Sequence, residues 1–307
     1  MGVSSGGGSV MHQLTAYGGL KPVAFQRAIP QSSGFVPTPG TQIQEETYAK
    51  FLSNLNVSSI EAARTLPSNE LLVANAKQVG DSFWGTFTFG PVVDNDFVPG
   101  PAAKLLMQGS YAKHVAILSS HTANEGLVFT DPRSAGNNTH LRIQLRDILP
   151  TISEENQDFV LEKLYPPVYN GSKPWKDPIG RVMTLIGELA LTCNTNAMAK
   201  YAQLHGTPAF HFDFSVPPAL HGDDQPYTFA RGSVPGMDPE IASIIQNAIA
   251  GFVMRGIPAR SPITKASVVP AYGSENKVLN LAVHDTAAVK DPESNERCEW
   301  WHKALYY

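Results

Sequence analysis

Largely apolar strand-like runs, alternating with amphipathic helical segments, constrain the fold of this 307-residue chain most strongly. Residues Ala209–Ser215 and Val278–Val283 are largely apolar, as strands that are covered on both faces of a sheet are. Two further strands are predicted at Phe25–Pro30 and Val115–Ser119. Because strands and helices alternate, we expect a mostly parallel sheet flanked by helices, within a single α/β domain over residues 1–307.

Helical segments are predicted from capping residues and from apolar residues spaced along one face. A capping box of Ser58 and Glu61 opens one helix, and Asp238 and Gly256 are suitable N-cap and C-cap residues for another. The predicted helices cover Ser58–Arg64, Ser153–Leu164, Arg181–Ala202 and Pro239–Arg255. No linker or internal repeat divides the chain, so these helices are expected to pack on one sheet.

Composition excludes several classes of partner. Hydrophobic residues make up 42% of the chain and charged residues 16%, which is enough apolar material for a sizeable core. The formal net charge is −4 and Lys and Arg do not cluster, so the sequence shows no basic segment of the kind that binds nucleic acid. The longest apolar runs, such as Ala248–Met254, are too short for a membrane span. We therefore expect a small neutral or apolar partner; the oligomeric state is left open.

Cysteines and glycosylation sequons help to distinguish a cytosolic protein from a secreted one. Cys193 and Cys298 could be two buried thiols, as in a cytosolic protein, or one disulfide, and their spacing alone does not decide. Sequons occur at Asn56, Asn137 and Asn170. Each sequon can arise by chance, but the three together favour a secreted protein.

The first residues match the motif of a nucleophile elbow. Gly2-Val3-Ser4-Ser5-Gly6 fits G-x-S-x-G, in which the serine lies on a tight turn between a strand and a helix. A flexible Gly/Ser tail is the alternative interpretation. The amphipathic pattern of Val10, Met11 and Leu14 directly after the glycines favours the elbow, because an elbow must lead into a helix.

A serine hydroxyl becomes a good nucleophile only when a base takes its proton and an acid orients the base. In hydrolases that use this elbow, the acid follows the serine in the chain and the histidine follows the acid. Glu125 comes after the strand Val115–Ser119, and His221 comes after the strand that contains Phe210 to Phe214. The alternatives are an ordinary solvated glutamate and a histidine of a surface turn.

Besides His221, His284 and five further histidines are considered as site residues. His284 is followed by Asp285 but lies within an apolar strand pattern, which favours a structural role. The others have no metal-like spacing with cysteines or acids, and no metal or cofactor is therefore expected; they are His12, His114, His121, His205 and His211.

In its order of segments the chain resembles the type-B carboxylesterase/lipase family, which contains cholinesterases and fungal secreted lipases. The matching segments run from residue 2 to residue 301: GVSSGGGSVMHQL, FQRAIPQSSG, FGPVVDNDFVPGPAAKLLMQG, SSHTANEGLVF, HGDDQPYTF, AIAGFVMRGIP and RCEWW. Several colinear segments are more specific than any one motif. The resemblance implies an α/β-hydrolase fold and hydrolysis of a small apolar carboxylic ester.

Carried over to this sequence, the resemblance implies a catalytic triad of Ser4 as nucleophile, Glu125 as acid and His221 as general base. The backbone N–H of Ser5 would be one donor of the oxyanion hole. The resemblance also implies a disulfide between Cys193 and Cys298, and secretion. Aromatic residues that could line an ester pocket are Phe83, Trp84, Phe212 and Phe214, although core packing is the more ordinary role of each.

The chain departs from the family pattern in two ways. Val3 stands where the family usually has a glutamate that organises polar groups near the histidine. The segments of the family's N-terminal half, including its glycine-rich oxyanion loop and N-terminal strands, have no match. We therefore expect a truncated gene product or a misassigned start, with impaired activity. A non-catalytic, adhesion-like binding protein on the same fold is the alternative.

Overall fold

A computed structural model describes residues 1–34, 41–86, 88–230, 235–263 and 268–307. Seven strands of this described part form one sheet. They are β1 (Gly2–Val3), β2 (Arg27–Ala28), β3 (Pro30–Gln31), β4 (Ala116–Thr122), β5 (Ala209–Phe214), β6 (Lys277–Leu281) and β7 (Ala287–Lys290).

The sheet is mostly parallel, as the alternation of strands and helices predicts. Its order is β1-β3-β4-β5-β6-β7, with β2 also paired to β4. Each pairing up to β6 is parallel, and β6 and β7 form an antiparallel pair. In the register of the central pair, Ile117 lies opposite Ala209 and Thr122 opposite Phe214. The strands β4 and β5 therefore end together at one edge of the sheet.

Helices cover the sheet. They are α1 (Ser5–Thr15), α2 (Thr41–Asn54), α3 (Ile60–Arg64), α4 (Ser68–Gly80), α5 (Ala102–Met107), α6 (Asn138–Ile148), α7 (Glu154–Phe159), α8 (Pro178–Gly187), α9 (Cys193–Leu204), α10 (Gln225–Phe229), α11 (Pro239–Arg255) and α12 (Glu296–His302). Short 3₁₀ turns lie at Ala16–Gly19, Leu127–Phe129 and Pro132–Ser134, and π-helical turns at Val160–Leu164 and Glu188–Thr192. The second π-helical turn joins α8 to α9, so the predicted helix Arg181–Ala202 is one helical segment of three parts.

The predicted strands are confirmed, with changes at their ends. The segment Phe25–Pro30 forms β2 and β3, which are interrupted at Ile29. The prediction that His284 lies within a strand was wrong. β6 ends at Leu281, and His284 is exposed in the turn before β7 with a φ of 65°. A left-handed backbone cannot continue a strand, so the turn reverses the chain there.

Helix ends follow their capping groups. The N-cap of α3 is Ser59 rather than the predicted Ser58, because the Ser59 hydroxyl accepts a hydrogen bond of 3.2 Å from the Ala62 N–H. The predicted caps of α11 are confirmed: Asp238 accepts from two backbone N–H groups at its start, and Gly256 ends it with a φ of 77°.

Three apolar clusters form the core. One joins α1, α5 and α9 to a face of β4, with Met11, Leu106 and Met198 among its members. A second packs α11 against the opposite face, through Phe212 and Phe252 among others. The third, which contains Trp301, lies between α6, α8 and α12. In the described ranges, no helix has the length and apolar character needed to cross a membrane.

A disulfide between Cys193 and Cys298 lies in this third cluster, as the resemblance implied. It joins the start of α9 to α12 across 105 residues of sequence. Closing a loop of this length lowers the entropy of the unfolded chain and stabilises the fold by about 4 kcal/mol in the chain-entropy model.

Replacing both cysteines by alanine is expected to lower the free energy of unfolding by about 4 kcal/mol, because the unfolded chain regains the entropy of the open loop. Urea unfolding followed by tryptophan fluorescence measures the difference. Reduction of the parent protein is the control and should reproduce the loss. A double variant as stable as the oxidised parent would contradict the prediction.

Candidate active site

Ser4 occupies the turn between β1 and α1. Its backbone has φ 58° and ψ −123°, a conformation that is strained for a residue with a side chain. The Ser4 N–H donates to the Gln31 carbonyl at 3.0 Å, and the Ser4 carbonyl accepts from Gly8 and Gly34. These bonds hold the turn on both sides, so the hydroxyl has one fixed position at the edge of the sheet.

Gly2 explains why the turn needs glycine. A Cβ atom on Gly2 would lie 2.3 Å from the carbonyl oxygen of Gly6, a contact that no side chain can make without displacing the backbone. The two outer glycines of the motif therefore touch each other across the turn. The geometry is that of a nucleophile elbow and not of a flexible tail.

Glu125 and His221 come from the loops after β4 and β5. The two loops are joined at Asn124 and Leu220 by an isolated parallel bridge. In addition, the Asn124 N–H donates to the carbonyl of Ala219 at 2.9 Å. Since β4 and β5 end at the same edge of the sheet, this bridge sets the acid next to the histidine.

The structure brings Ser4, Glu125 and His221 together, although Ser4 and His221 are 217 positions apart in sequence. His221 Nε2 lies 2.8 Å from Ser4 Oγ, and His221 Nδ1 is hydrogen-bonded to Glu125 Oε2. The ring of Phe129 packs edge-on against the imidazole, with 5.0 Å between the ring centroids. This is the arrangement in which a serine can be activated by a base that an acid orients.

Glu125 is fully buried beside a partly exposed His221. Its second oxygen, Oε1, accepts a hydrogen bond of 2.8 Å from the Thr122 N–H. Burial opposes ionisation of this carboxyl, but the hydrogen bond and positive charge of His221 outweigh it and lower the pKa of Glu125. The acid therefore stays ionised and holds the imidazole in place.

A second buried carboxyl, that of Asp224, lies behind the first. Asp224 Oδ2 accepts a hydrogen bond of 3.1 Å from Gln31 Nε2, whereas its Oδ1 has no hydrogen-bond partner among the described residues. Burial and the negative charge of Glu125 raise the pKa of Asp224 to about 6. Asp224 therefore keeps its proton to a higher pH than an ordinary aspartate does.

A cavity of about 500 Å³ opens at Ser4 and His221. Ser5, the first residue of α1, also lines it. The N–H groups of a helix's first turn have no acceptor within the helix, which suits Ser5 as an oxyanion donor. The apolar wall consists of Phe89, Phe129, Ile148, Ile186, Leu189 and Leu191.

The aromatic residues predicted for this pocket lie elsewhere. Phe83 and Trp84 are exposed and do not line the cavity, and Phe212 and Phe214 are fully buried in the core. Sequence reasoning missed Phe89 and Phe129, along with the wall contributed by Leu189 to Leu191. The π-helical turn at Glu188–Thr192 alters the helical spacing there, and its position is not visible in the apolar pattern.

The other predicted sites lie apart from the triad. Asn56, Asn137 and Asn170 are exposed, which suits glycosylation but does not test it. Among the residues that the structure describes, two groups of side chains have donor atoms close enough to surround a metal ion: His121 with His211 and Asp213, and Glu188 with the two disulfide-bonded cysteines. Oxidised cysteines are not thiolate ligands, so only the histidine cluster has metal-binding chemistry.

Comparison with known proteins identifies the family of the chain. The model of the carboxylesterase family matches residues 1–301. The chain belongs to the carboxylesterase family. Carboxylesterase patB of Aspergillus clavatus is 35% identical over 310 residues, covering 100% of this chain and 54% of that protein. Lipase 2 of Geotrichum candidum is 31% identical over 201 residues, covering 60% of this chain and 35% of that protein.

Solved structures of esterases share the fold. EstA of Aspergillus niger superposes with a TM-score of 0.80 at 22% identity, covering 98% of this chain and 62% of that one. A PNB esterase gives a TM-score of 0.74 at 24% identity and covers 96% of this chain. The carboxylesterase relatives therefore confirm the predicted α/β-hydrolase fold. The chain spans about half the length of carboxylesterase patB, and its match covers about a third of lipase 2.

Asp224→Asn is expected to change how stability depends on pH in this carboxylesterase-family chain. Because folding raises the pKa of Asp224, the folded state holds the proton more tightly, and stability falls as pH rises from about 4 to about 6. An asparagine cannot ionise and escapes this loss. The free energy of unfolding of the variant should therefore rise relative to that of the parent by up to about 3 kcal/mol over that range. Thermal unfolding between pH 4.5 and 7.5 measures this gain.

Asp285→Asn, at the exposed turn after β6, controls for the loss of one carboxyl group. If the stability difference between Asp224→Asn and the parent were the same at both ends of the pH range, the buried carboxyl would not be the group that titrates.

Proposed function

We propose that this chain hydrolyses a carboxylic ester through an acyl-enzyme, with Ser4 as nucleophile, His221 as general base and Glu125 as the orienting acid. The observation that carries the proposal is the hydrogen-bonded series from Ser4 Oγ through both nitrogens of His221 to Glu125. Ser4 and His221 line a largely apolar cavity, where a substrate carbonyl can reach the hydroxyl.

The steps follow from the geometry. Ser4 Oγ attacks the ester carbonyl while His221 Nε2, 2.8 Å away, takes the hydroxyl proton. The buried carboxylate of Glu125 stabilises the resulting imidazolium. The Ser5 N–H, at the start of α1, stabilises the negative oxygen of the tetrahedral intermediate. His221 then passes the proton to the leaving alcohol, and water releases the acid by the same route.

The cavity favours a small ester with an apolar acyl or alcohol part. Its wall consists of aliphatic and aromatic side chains, and its volume of about 500 Å³ is within the range of small-molecule sites. Ser4 and His221 line the same cavity, so a bound ester would place its carbonyl beside Ser4 and its apolar part against the wall. Relatives named as a carboxylesterase and as lipases support this substrate class.

We also propose that the protein is extracellular. A secreted lipase of Arthroderma benhamiae is 28% identical over 75% of this chain. The disulfide between Cys193 and Cys298 would persist in an oxidising compartment, and the three sequons lie on the surface.

Ser4→Ala tests the catalytic assignment. The variant is expected to lose hydrolysis of 4-nitrophenyl butyrate by a factor of about 10⁴ or more, because the attacking oxygen is removed while the pocket remains. The release of 4-nitrophenolate measures the rate. Ser53→Ala, at an exposed position of α2 far along the chain from the elbow, is the matched control and should keep the parent rate.

Labelling with a fluorophosphonate probe separates an esterase from a non-catalytic binding protein, since only an activated serine reacts. The parent chain should be labelled and Ser4→Ala should not. A parent chain that neither reacts with the probe nor turns over the ester would refute the proposal. Equal turnover by parent and variant would refute the assignment of Ser4.

A further inference from the structure

Four polar side chains form a buried block between the two central strands. Ser119 and His121 of β4 lie in register with His211 and Asp213 of β5. Alternate residues of a strand face the same side, so all four side chains share one face of the sheet. His121, His211 and Asp213 are each at least 95% buried. Such a block needs a positive charge to compensate the carboxylate.

Both imidazoles point their Nε2 atoms at the same carboxylate oxygen. Asp213 Oδ1 lies 3.2 Å from Nε2 of His121 and 2.8 Å from Nε2 of His211. The Nδ1 atoms are bound elsewhere: that of His121 donates to the Thr122 carbonyl at 3.0 Å, and that of His211 lies 2.7 Å from Ser119 Oγ. Histidines that bind metals are oriented in this way, by an oxygen partner on the second ring nitrogen.

Glu293, in the loop after β7, adds a carboxylate to His121, His211 and Asp213. Its Oε2 atom lies 3.3 Å from Nε2 of His121. Neither of these two buried atoms makes a directed hydrogen bond to any of the described residues. A buried imidazole nitrogen and a buried carboxylate oxygen therefore face each other, and a bond through a shared cation would satisfy both.

The surroundings add negative charge. Asp291, two residues before Glu293, accepts hydrogen bonds from Tyr272 and Asn196 and is also buried. Burial, together with the charges of Asp213 and Asp291, raises the pKa of Glu293 to about 7. A divalent cation is one way to hold three buried carboxyl groups beside two imidazoles; protonation of the imidazoles is the other.

We propose that His121, His211, Asp213 and Glu293 bind one zinc ion. Zinc takes imidazole nitrogen and carboxylate oxygen at 2.0–2.2 Å in a tetrahedron, whose corners are then about 3.3 Å apart. Two of the donor separations, 3.2 and 3.3 Å, match this edge. The separation of 2.8 Å between His211 and Asp213 must lengthen by about half an ångström, and Glu293 must move closer to these two residues, because it lies outside the group of donor atoms that are within 4.8 Å of one another.

The site would be structural. Four protein ligands fill a tetrahedron and leave no position for water or substrate. The ion would tie the loop after β7 to the central strands. Histidine and acid spacing along the chain predicts no metal, because the donors come from neighbouring strands and a distant loop. The inference does not depend on ester hydrolysis, and its test measures bound metal.

The test uses the full 307-residue chain, refolded with Co²⁺ or with Zn²⁺ so that burial does not block entry, and then freed of excess metal by gel filtration. We expect about one ion per chain by elemental analysis, the visible absorption of tetrahedral Co²⁺, and a higher melting temperature than after refolding with a chelator. A parent chain that retains no ion would overturn the proposal and would leave a buried hydrogen-bonded cluster only.

Variants locate the ion. His121→Asn and Asp213→Asn should each lower retained Co²⁺ at least tenfold and abolish its visible absorption. Glu293→Gln, in a loop, keeps the strands intact and should weaken retention in the same direction. His114→Asn, an exposed histidine just before β4, is the matched control and should retain the ion. Equal retention by the parent and by Glu293→Gln and Asp213→Asn would place the metal elsewhere and overturn the assignment.

Discussion

The candidate site depends on the parallel pairing of β4 with β3 on one side and β5 on the other. The Ser32 N–H donates to the Ser120 carbonyl at 2.7 Å, and the Ala123 N–H donates to the Phe214 carbonyl at 2.9 Å. These bonds continue the ladders up to the edge of the sheet, where the loops begin. Groups far apart in sequence therefore meet at the edge because the strands that precede them end there together.

Ser4 adds a constraint of its own. A left-handed backbone costs a residue with a side chain about 1–3 kcal/mol, and this cost must be offset by the surroundings. The fully buried side chains of Met11 and Leu14 anchor α1, while β1 pairs with β3 on the other side of the turn. Because both flanking elements are fixed, the Ser4 hydroxyl is positioned before any substrate binds, and little entropy is lost on reaction.

Local sequence signals predicted the longer strands and several helices, and named the three side chains that meet in the candidate triad, but not the walls of the pocket. Gly2 to Gly6 and the chain order of acid and histidine are short patterns with a fixed geometric meaning. The pocket instead joins Phe89, Phe129 and Ile148 to the π-helical turn Glu188–Thr192. Apolar residues of such separate segments look like core residues in sequence, and only the tertiary fold decides which of them face a cavity.

The backbone of Thr122 contacts both the buried polar block of the central strands and the candidate triad. Its carbonyl accepts from His121 Nδ1 on one side, and its N–H donates to Glu125 Oε1 on the other. Strand β5 alternates Phe210, Phe212 and Phe214 with His211 and Asp213, so one face of the sheet packs apolar against α11 while the other carries the buried block. A rigid charge-compensated block, whether it holds an ion or protons, fixes the end of β4, and with it the backbone N–H that orients the candidate acid.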